Sequence, residues 1–334
     1  MSEILVTGGL GFIGSHTCVS LLKSGYSPVV VDNLSNSLAS VQAGIEELGK
    51  QPIKVYHGDI RDTDLLDNIF TNHNIEGVIH FAASKAVGES VQKPLKYFDN
   101  NISGLINVAT SMRNHQVKHL VFSSSCTVYG APEQVPVTEK APYQKAESPY
   151  GLSKQIGEQI LENCPFIQTQ CLRYFNPVGA HPSGIIGEQP FGVPGNLIPY
   201  LTQVVAGLRP QLTVFGNDYP TPDGSCIRDY IHICDLADAH IAALTRSIND
   251  LATSHFETFN IGTGIGLSVL EIIEAFEKAT GLSVPYTIGP RRAGDVVQVW
   301  ADTKKSEKVL GWKASHTAQD MMRDAWNWQK KVIT

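Results

Sequence analysis

Short apolar runs recur along the first half of the chain, at Ile4 to Thr7, Val29 to Asp32, Lys54 to His57, Val78 to Phe81, Leu120 to Ser123 and Cys171 to Tyr174. Each suits a buried strand of a parallel sheet. Ser15 to Ser24, Asp62 to Asn72, Ile102 to His115 and Ser153 to Leu161 lie between them with helical spacing, giving a series of strand and helix units. The pattern predicts an α/β fold with a doubly wound parallel sheet over residues 1–175. After Asn176 the texture changes. Pro177, Pro182, Gly184, Gly187, Pro190, Gly192, Pro194 and Gly195 read as loop leading into a smaller, mixed α/β lobe over residues 176–334. Two more strand candidates, Tyr230 to Ile233 and Phe256 to Ile261, flank a helix expected near Asp235. They are expected to return the chain to the first sheet around 230–262.

At 334 residues the chain can bury two cores without disulfide or metal support. A net charge of -6, with lysines and arginines scattered, gives none of the basic footprint of a nucleic-acid binder. Cys18, Cys126, Cys164, Cys171, Cys226 and Cys234 include no CxxC pair and no zinc-type spacing with histidine, so reduced thiols and no metal are expected. The chain opens on Met-Ser-Glu and enters an apolar strand, and no apolar run approaches ~18 residues. A cytoplasmic protein without a membrane partner is the expectation.

The first strand runs into Thr7-Gly8-Gly9-Leu10-Gly11-Phe12-Ile13-Gly14, so Gly8, Gly11 and Gly14 fall on a strand-to-helix turn. Glycines there let the backbone approach a pyrophosphate, which then faces the amides and positive end of a helix, as in Rossmann-like folds. Asp32 ends the second strand, where an acid can accept from adenosine ribose hydroxyls and repel a 2′-phosphate, favouring NAD over NADP. Asn33 follows it, and Asp59 and Ile60, beyond the third strand, are candidate adenine contacts on the same sheet edge.

Tyr150-Gly151-Leu152-Ser153-Lys154 sets a phenol and an ammonium at i and i+4 on one helix face, just after Pro149. A phenol of ordinary pKa ~10 is a poor base near neutrality unless nearby positive charge favours the phenolate. Lys154 and an oxidised nicotinamide would supply that charge. Such a pair alone is also a common surface coincidence; the glycine turn upstream gives it weight. Ser123-Ser124-Ser125 follows the fifth apolar run, at the carboxyl end of the sheet where open α/β folds bind ligands. Ser125 is the candidate hydrogen-bond partner of the reacting oxygen, although serines in a loop also bond simply to backbone.

With these residues assembled, the chain resembles the extended short-chain dehydrogenase/reductases, and within them the UDP-glucose 4-epimerase family, over essentially its whole length. The resemblance rests on TGGLGFIG, the Tyr150/Lys154 pair, VDNLSNS (31–37), HFAASKAVGESVQKPLKYFDNN (80–101) and SSSCTVYG (123–130). It continues through LRYFNPVGAHPSG (172–184), FGNDYPTPDGS (215–225), RDYIHICDLADAH (228–240) and PRRAGD (290–295). It implies a tightly held NAD, a UDP-sugar substrate, a 4-keto intermediate that turns over within the site, and a homodimer built on the helices at 102–115 and 153–161. It further implies that Phe12, Ile13, Phe81, Ala82, Lys85, Asn100, Ser123 and Tyr174 lie along the cofactor, with Lys85 also near substrate. Asn176, Asn196, Leu197, Thr213, Phe215, Arg228, Tyr230, Arg292 and Asp295 are implied to hold the UDP-sugar, where arginine forks suit phosphate oxygens.

Two departures stand out. Members restricted to plain glucose and galactose resemble one another in a tyrosine immediately before Trp; here Val299 precedes Trp300. The missing ring should leave room for a 2-acetamido group, so UDP-GlcNAc and UDP-GalNAc are expected substrates, unless neighbouring side chains refill the space. Cys126 stands where many relatives have alanine and is assigned no role. The nearest rival, a nucleotide-sugar 4,6-dehydratase, resembles its own group in an Asp-Glu pair at the places that here hold Cys126 and Thr127. A non-catalytic NAD-binding scaffold is the other alternative, and such relatives typically lack the Tyr/Lys pair that this chain keeps.

Overall fold

The computed structural model describes residues 1–292 and 294–333. Ala293, within the PRRAGD segment, and Thr334, the last residue of the expected second lobe, lie outside the described residues.

The apolar runs become β1 (Glu3–Thr7), β2 (Ser27–Asp32), β3 (Lys54–His57), β4 (Ile75–His80), β5 (His119–Ser125) and β6 (Gln168–Tyr174). Later strands are β7 (Asn176–Val178), β8 (Leu212–Phe215), β9 (Ile227–His232), β10 (Phe256–Ile261), β11 (Gly266–Ser268), β12 (Tyr286–Gly289) and β13 (Gln298–Val299). Seven of them make one parallel sheet in the order β10-β6-β5-β4-β1-β2-β3. β1 and β4 lie at its middle, and their central residues are fully buried because helices cover both faces. This is the Rossmann-like doubly wound sheet that the βα pattern predicts. β5 runs further than its apolar stretch, because Ser123, Ser124 and Ser125 stay in register with Leu172, Arg173 and Tyr174 of β6. The serines therefore belong to the sheet, not to a loose loop.

One expectation needs correcting. The helix Ile233–Ile248 and β10 do rejoin the first unit, β10 pairing parallel with β6. The Tyr230 to Ile233 segment does not. Its strand, β9, pairs with β7, β11 and β13 in a second sheet, and Ile233 already begins the helix. The segment Tyr230 to Ile233 is apolar enough for either sheet, but β9 as a whole also carries Arg228, Asp229 and His232; the partners at 176–178 and 298–299 are too short to show in the pattern. β8 and β12 form a separate two-stranded piece. The final helix, Ala318–Ile333, closes this lobe by packing Met321, Met322 and Ala325 against Phe276, Leu201 and Tyr230.

A second difference lies at 94–114. A continuous helix at 102–115 is the reading of its spacing, but a five-residue π-helical turn, Asp99–Ser103, links the helix Pro94–Phe98 to Gly104–Asn114. π turns inside α-helices are frequent at functional sites because they re-aim side chains. Here the turn carries Asn101 inward. Its amide donates to the Ser84 carbonyl and the Ser153 hydroxyl, both at 3.0 Å, and accepts from the Ser84 amide at 2.8 Å.

Asp229 fastens the second sheet. Fully buried on β9, it accepts from the Thr263 amide at 2.8 Å, the Thr263 hydroxyl at 2.7 Å, the Gly264 amide at 3.0 Å and the Ala301 amide at 3.1 Å. Burial raises its carboxyl above the usual range, and these donors oppose that rise. Asp229→Ala leaves the buried Ala301 amide and the part-buried Thr263 and Gly264 amides without this acceptor, so unfolding in urea should show a loss of about 3 kcal/mol, and a loss below about 1 kcal/mol would show that water replaces the carboxylate.

Candidate active site

The glycine turn is built by close approach. Gly8 has φ +70°, and a Cβ there would stand 2.9 Å from the Ala82 nitrogen. A Cβ on Gly14 would meet the Gly8 carbonyl oxygen at 2.3 Å, so the helix Phe12–Lys23 closes onto the turn only through glycine. Gly11 sits at the N-cap and brings no side-chain acceptor, which leaves the first helical N–H donors and the positive helix end for an anion. Phe12 and Ile13 pack partly into the core beneath.

Asp32 is nearly buried and already carries structural bonds. It accepts from the Leu10 amide at 3.0 Å, the Leu34 amide at 2.9 Å and the Ser37 hydroxyl at 2.7 Å. A carboxylate offers about four lone-pair sites, so roughly one remains. Asn33 donates to Asp59 at 2.9 Å, and the Arg61 guanidinium holds the Asp59 carboxyl well below its usual range. Ile60 is buried against Gly104. Phe81 packs against His240 with centroids 4.8 Å apart and the rings tilted at 56°, and the Ala82 amide lies 3.3 Å from the Thr7 hydroxyl. The Tyr174 hydroxyl is 3.1 Å from the other face of this cluster, at His240 Nε2. Lys85 is ion-paired with Glu188 at 2.9 Å, and Asn100 donates to Asn101 at 3.0 Å.

Ser148 caps the helix Pro149–Glu162 by accepting from the Gly151 amide at 3.1 Å, and Pro149 at its first position fixes the entry. The cap sets Tyr150 in the first turn with Lys154 one turn on. Lys154 is buried, and its Nζ donates to the Ser123 carbonyl at 2.6 Å, 5.1 Å from the Phe122 ring centre and 5.9 Å from that of Tyr150. Burial pulls it down to about 8. Burial pushes the Tyr150 phenol up to about 12, and a hydrogen bond with Ser125 only partly offsets the rise. Protein groups alone thus hold Tyr150 protonated near neutrality. Lys154 turns its proton to a strand carbonyl and does not by itself produce the phenolate that the sequence pairing suggests.

On the second lobe, Arg228 donates to the Ile227 carbonyl at 2.9 Å and lies 3.7 Å from Asp295, which also receives Arg292 at 2.7 Å. Arg292 stands 5.7 Å over the half-exposed Phe215 ring at the end of β8, the strand that carries Thr213. Asn176 pairs with the buried Tyr230 across β7 and β9. Asn196 stands at the N-cap position of the helix Leu197–Val205 without a side-chain cap bond and donates to Glu188 at 3.3 Å, while Leu197 packs against the core around it. Val299 is buried in a small apolar cluster with Val128, Tyr129, Val137, Phe175 and Ala301, and half-buried Cys126 packs at its edge. Burial pushes the Cys126 thiol up to about 12.

Sequence reasoning missed Asn101, Glu158, Arg173 and Glu188. Arg173 carried a usable signal, a charged residue inside a strand buried on both faces. Glu158 carried another, falling on the Tyr150/Lys154 helix face at the next i+4 position.

A family model described as GDP-mannose 4,6 dehydratase matches residues 5–325. A UDP-glucose 4-epimerase of Yersinia pestis is 51% identical over 332 residues, 98% of this chain and 97% of that protein. The chain belongs to the UDP-glucose 4-epimerase family. Among solved members of that family, one from Stenotrophomonas maltophila, with bound NAD and formylated UDP-arabinopyranose, superposes with a TM-score of 0.96 at 47% identity, covering 100% of this chain and 99% of its own. Another from Bifidobacterium longum, in complex with NAD+ and UDP, gives 0.94 at 47% identity, covering 99% and 98%.

In this member of the epimerase family the closeness of Gly14 to Gly8 yields a test. Gly14→Val should purify without dinucleotide, read as the absence of nucleotide released on denaturation, with helical content unchanged by circular dichroism. Retention equal to the parent would show that the turn can open without losing the cofactor.

Proposed function

We propose that this chain is a UDP-hexose 4-epimerase that keeps NAD bound through turnover, interconverting UDP-glucose with UDP-galactose and UDP-GlcNAc with UDP-GalNAc. The observation that carries the reading is the convergence of Tyr150, Lys154 and the Ser125 hydroxyl at the carboxyl end of β5, on the sheet whose β1 ends in the glycine turn. The residues present fit a dinucleotide. Gly8 and Gly14 make a cradle that a Cβ would fill, the helix after Gly11 offers backbone donors, and Asp32 keeps an acceptor beside it.

NAD, when bound, would accept and return the hydride and would bring a positive charge to the site. That charge favours the phenolate against burial. Tyr150 then takes the proton from the sugar O4 as C4 is oxidised, and returns it after the 4-keto sugar has turned its other face. Ser125 would donate to the same oxygen, and Lys154, one turn along the helix, would help hold the cofactor beside Tyr150. Net redox change is nil. Phe12, Ile13, Asp32, Asn33, Asp59, Ile60, Phe81, Ala82, Lys85, Asn100, Ser123 and Tyr174 are assigned to the cofactor. Asn176, Asn196, Leu197, Thr213, Phe215, Arg228, Tyr230, Arg292 and Asp295 are assigned to the UDP-sugar, whose diphosphate suits the two guanidinium forks.

The dehydratase reading, which the family model's description raises, lacks its acid. Elimination of water needs a group that gives and takes protons, and the side chains after Ser125 are a thiol held neutral by burial and Thr127. Acceptance of 2-acetamido sugars is inferred from Val299, smaller than the tyrosine that precedes Trp in the restricted members and packed here among Val128, Tyr129, Val137, Phe175 and Ala301. Exposed Val91, Leu95, Ile106 and Leu152, on helices at 87–92, 94–98, 104–114 and 149–162, support a homodimer through that face. Free cysteines support a reducing, cytoplasmic setting. Among the described residues no helix is long and apolar enough to cross a membrane.

Purified protein with no added NAD should epimerise UDP-GalNAc and UDP-Gal with kcat/KM values within about tenfold, and Val299→Tyr should remove the first activity while sparing the second. Turnover of UDP-Gal alone by the parent sinks the pocket argument but not the epimerase. Tyr150→Phe should lower kcat by at least ~10²-fold for both sugars, and unchanged epimerisation would take Tyr150 out of the mechanism.

A further inference from the structure

Glu158 and Arg173 form a buried ion pair that the mechanism above does not use. Glu158 is fully buried one turn beyond Lys154 on the same helix face, and Arg173, on β6, is 4% exposed. Arg173 Nε donates to Glu158 Oε1 at 3.0 Å. The Ser124 hydroxyl, next to Ser125 on β5, donates to the same oxygen, and the Tyr143 hydroxyl donates to Oε2 at 2.6 Å. Arg173 Nη1 donates to the Tyr129 hydroxyl at 3.0 Å and the Glu139 carbonyl at 3.2 Å, and Tyr129 in turn donates to Asn260 of β10 at 2.6 Å. One carboxylate thus ties the catalytic helix to β5 and β6, and through Arg173 to β10. Buried pairs of this kind are often no more stabilising than apolar side chains of similar volume, so stability alone is a weak reason for it.

We propose, on the epimerase reading, that Glu158 is a positioning residue for the reaction: it fixes the helix of Tyr150 and Lys154 against β5 and β6 and presents a carboxylate to the Lys154 ammonium from one turn away. The groups around that ammonium leave few alternatives. β4 presents His80, which burial drives down to about 3 and so leaves neutral. β5 presents the Ser123 carbonyl and the Phe122 ring. β6 presents the Cys171 thiol, which burial pushes far up and keeps protonated. Tyr150, on its own helix, is likewise raised by burial. Burial also works to raise the Glu158 carboxyl, but the Arg173 guanidinium and the Ser124 and Tyr143 hydroxyls outweigh it and hold the group ionised. Among these neighbours Glu158 is the anion. It opposes the burial that pulls Lys154 down to about 8, so the ammonium is kept below that pH and lost above it.

The test is the pH profile of the holoenzyme as purified. Glu158→Gln should move the alkaline limb of kcat to lower pH by about one unit or more, with KM little changed. An NMR titration of the Lys154 side chain, assigned through Lys154→Met, should move with it whether or not the variant turns over. Ser124→Ala loosens the anchor but leaves both charges, so its limb should stay with the parent's. If Glu158→Gln is insoluble, the double variant with Arg173→Met removes both buried charges, a change such folds often tolerate, and a downward shift is again expected, smaller because the opposing guanidinium goes with the carboxylate. A lowered unfolding temperature with the limb and the Lys154 titration unmoved overturns the positioning role. Failure of the parent to epimerise would overturn the epimerase reading instead.

Discussion

Lys154 keeps an ammonium in a place that water does not reach, and the arrangement of the catalytic wall answers to that. A lone cation in such surroundings would shed its proton, because burial disfavours the charged form. Three local features oppose the loss: the Ser123 carbonyl at 2.6 Å, the Phe122 ring face, and the Glu158 carboxylate one turn on. The same burial acts on Tyr150 with the opposite sign of charge, favouring the protonated phenol. Both side chains are pressed toward neutrality from either side of their ordinary range. A proton therefore moves at this site only when another charge arrives, and a cationic ring beside the phenol is a charge of the right sign to release it.

Much of this was legible in the sequence, and the residues show why. The glycine turn, the Asp32 that ends β2 and the Tyr150/Lys154 pair are local patterns, each set by a turn, a strand end or a helix period, and each lies where its pattern predicts. What escaped notice was long-range. The Tyr230 to Ile233 segment at the end of β9 reads like a strand of the first sheet, and the actual partners of β9, the short strands β7, β11 and β13, leave little trace in the sequence. Asn101 looked like the second half of an Asn-Asn doublet until a π turn aimed it at Ser84 and Ser153. Glu158 meets Arg173 across fifteen residues, a helix and a strand apart, which no short window captures.

Glu188 joins residues from the two halves of the chain at a polar point beside a shared apolar core, in which Ile186 and Ile231 pack with Ile4, Val6 and Leu10. Its carboxylate takes Lys85 from the first lobe and Asn196 from the second, and its backbone carbonyl accepts from the Trp328 indole of the last helix at 2.9 Å. Asp229 does the matching work within the second sheet, on the strand that alternates it with Arg228 and Tyr230. Strand periodicity puts the structural acid on one face and the two ligand candidates on the other. Fixing Asp229 thus also fixes the direction in which Arg228 and Tyr230 point.

The division of labour on the sugar side follows from what each region can sense. Arg228, Arg292 and Asp295 form a charged group suited to a diphosphate, a part common to every UDP-sugar, so differences between hexoses are invisible there. Discrimination at the ring then falls to packing, and we propose that the packing concerned is the cluster of Val128, Tyr129, Val137, Phe175, Val299 and Ala301 with Cys126 at its rim. A methyl-sized change in such a cluster is worth only about 1–3 kcal/mol. On that proposal, exclusion of an acetamido group needs a side chain as large as tyrosine at 299, and a cysteine in place of alanine at 126 adds a single sulfur, too little to supply that bulk.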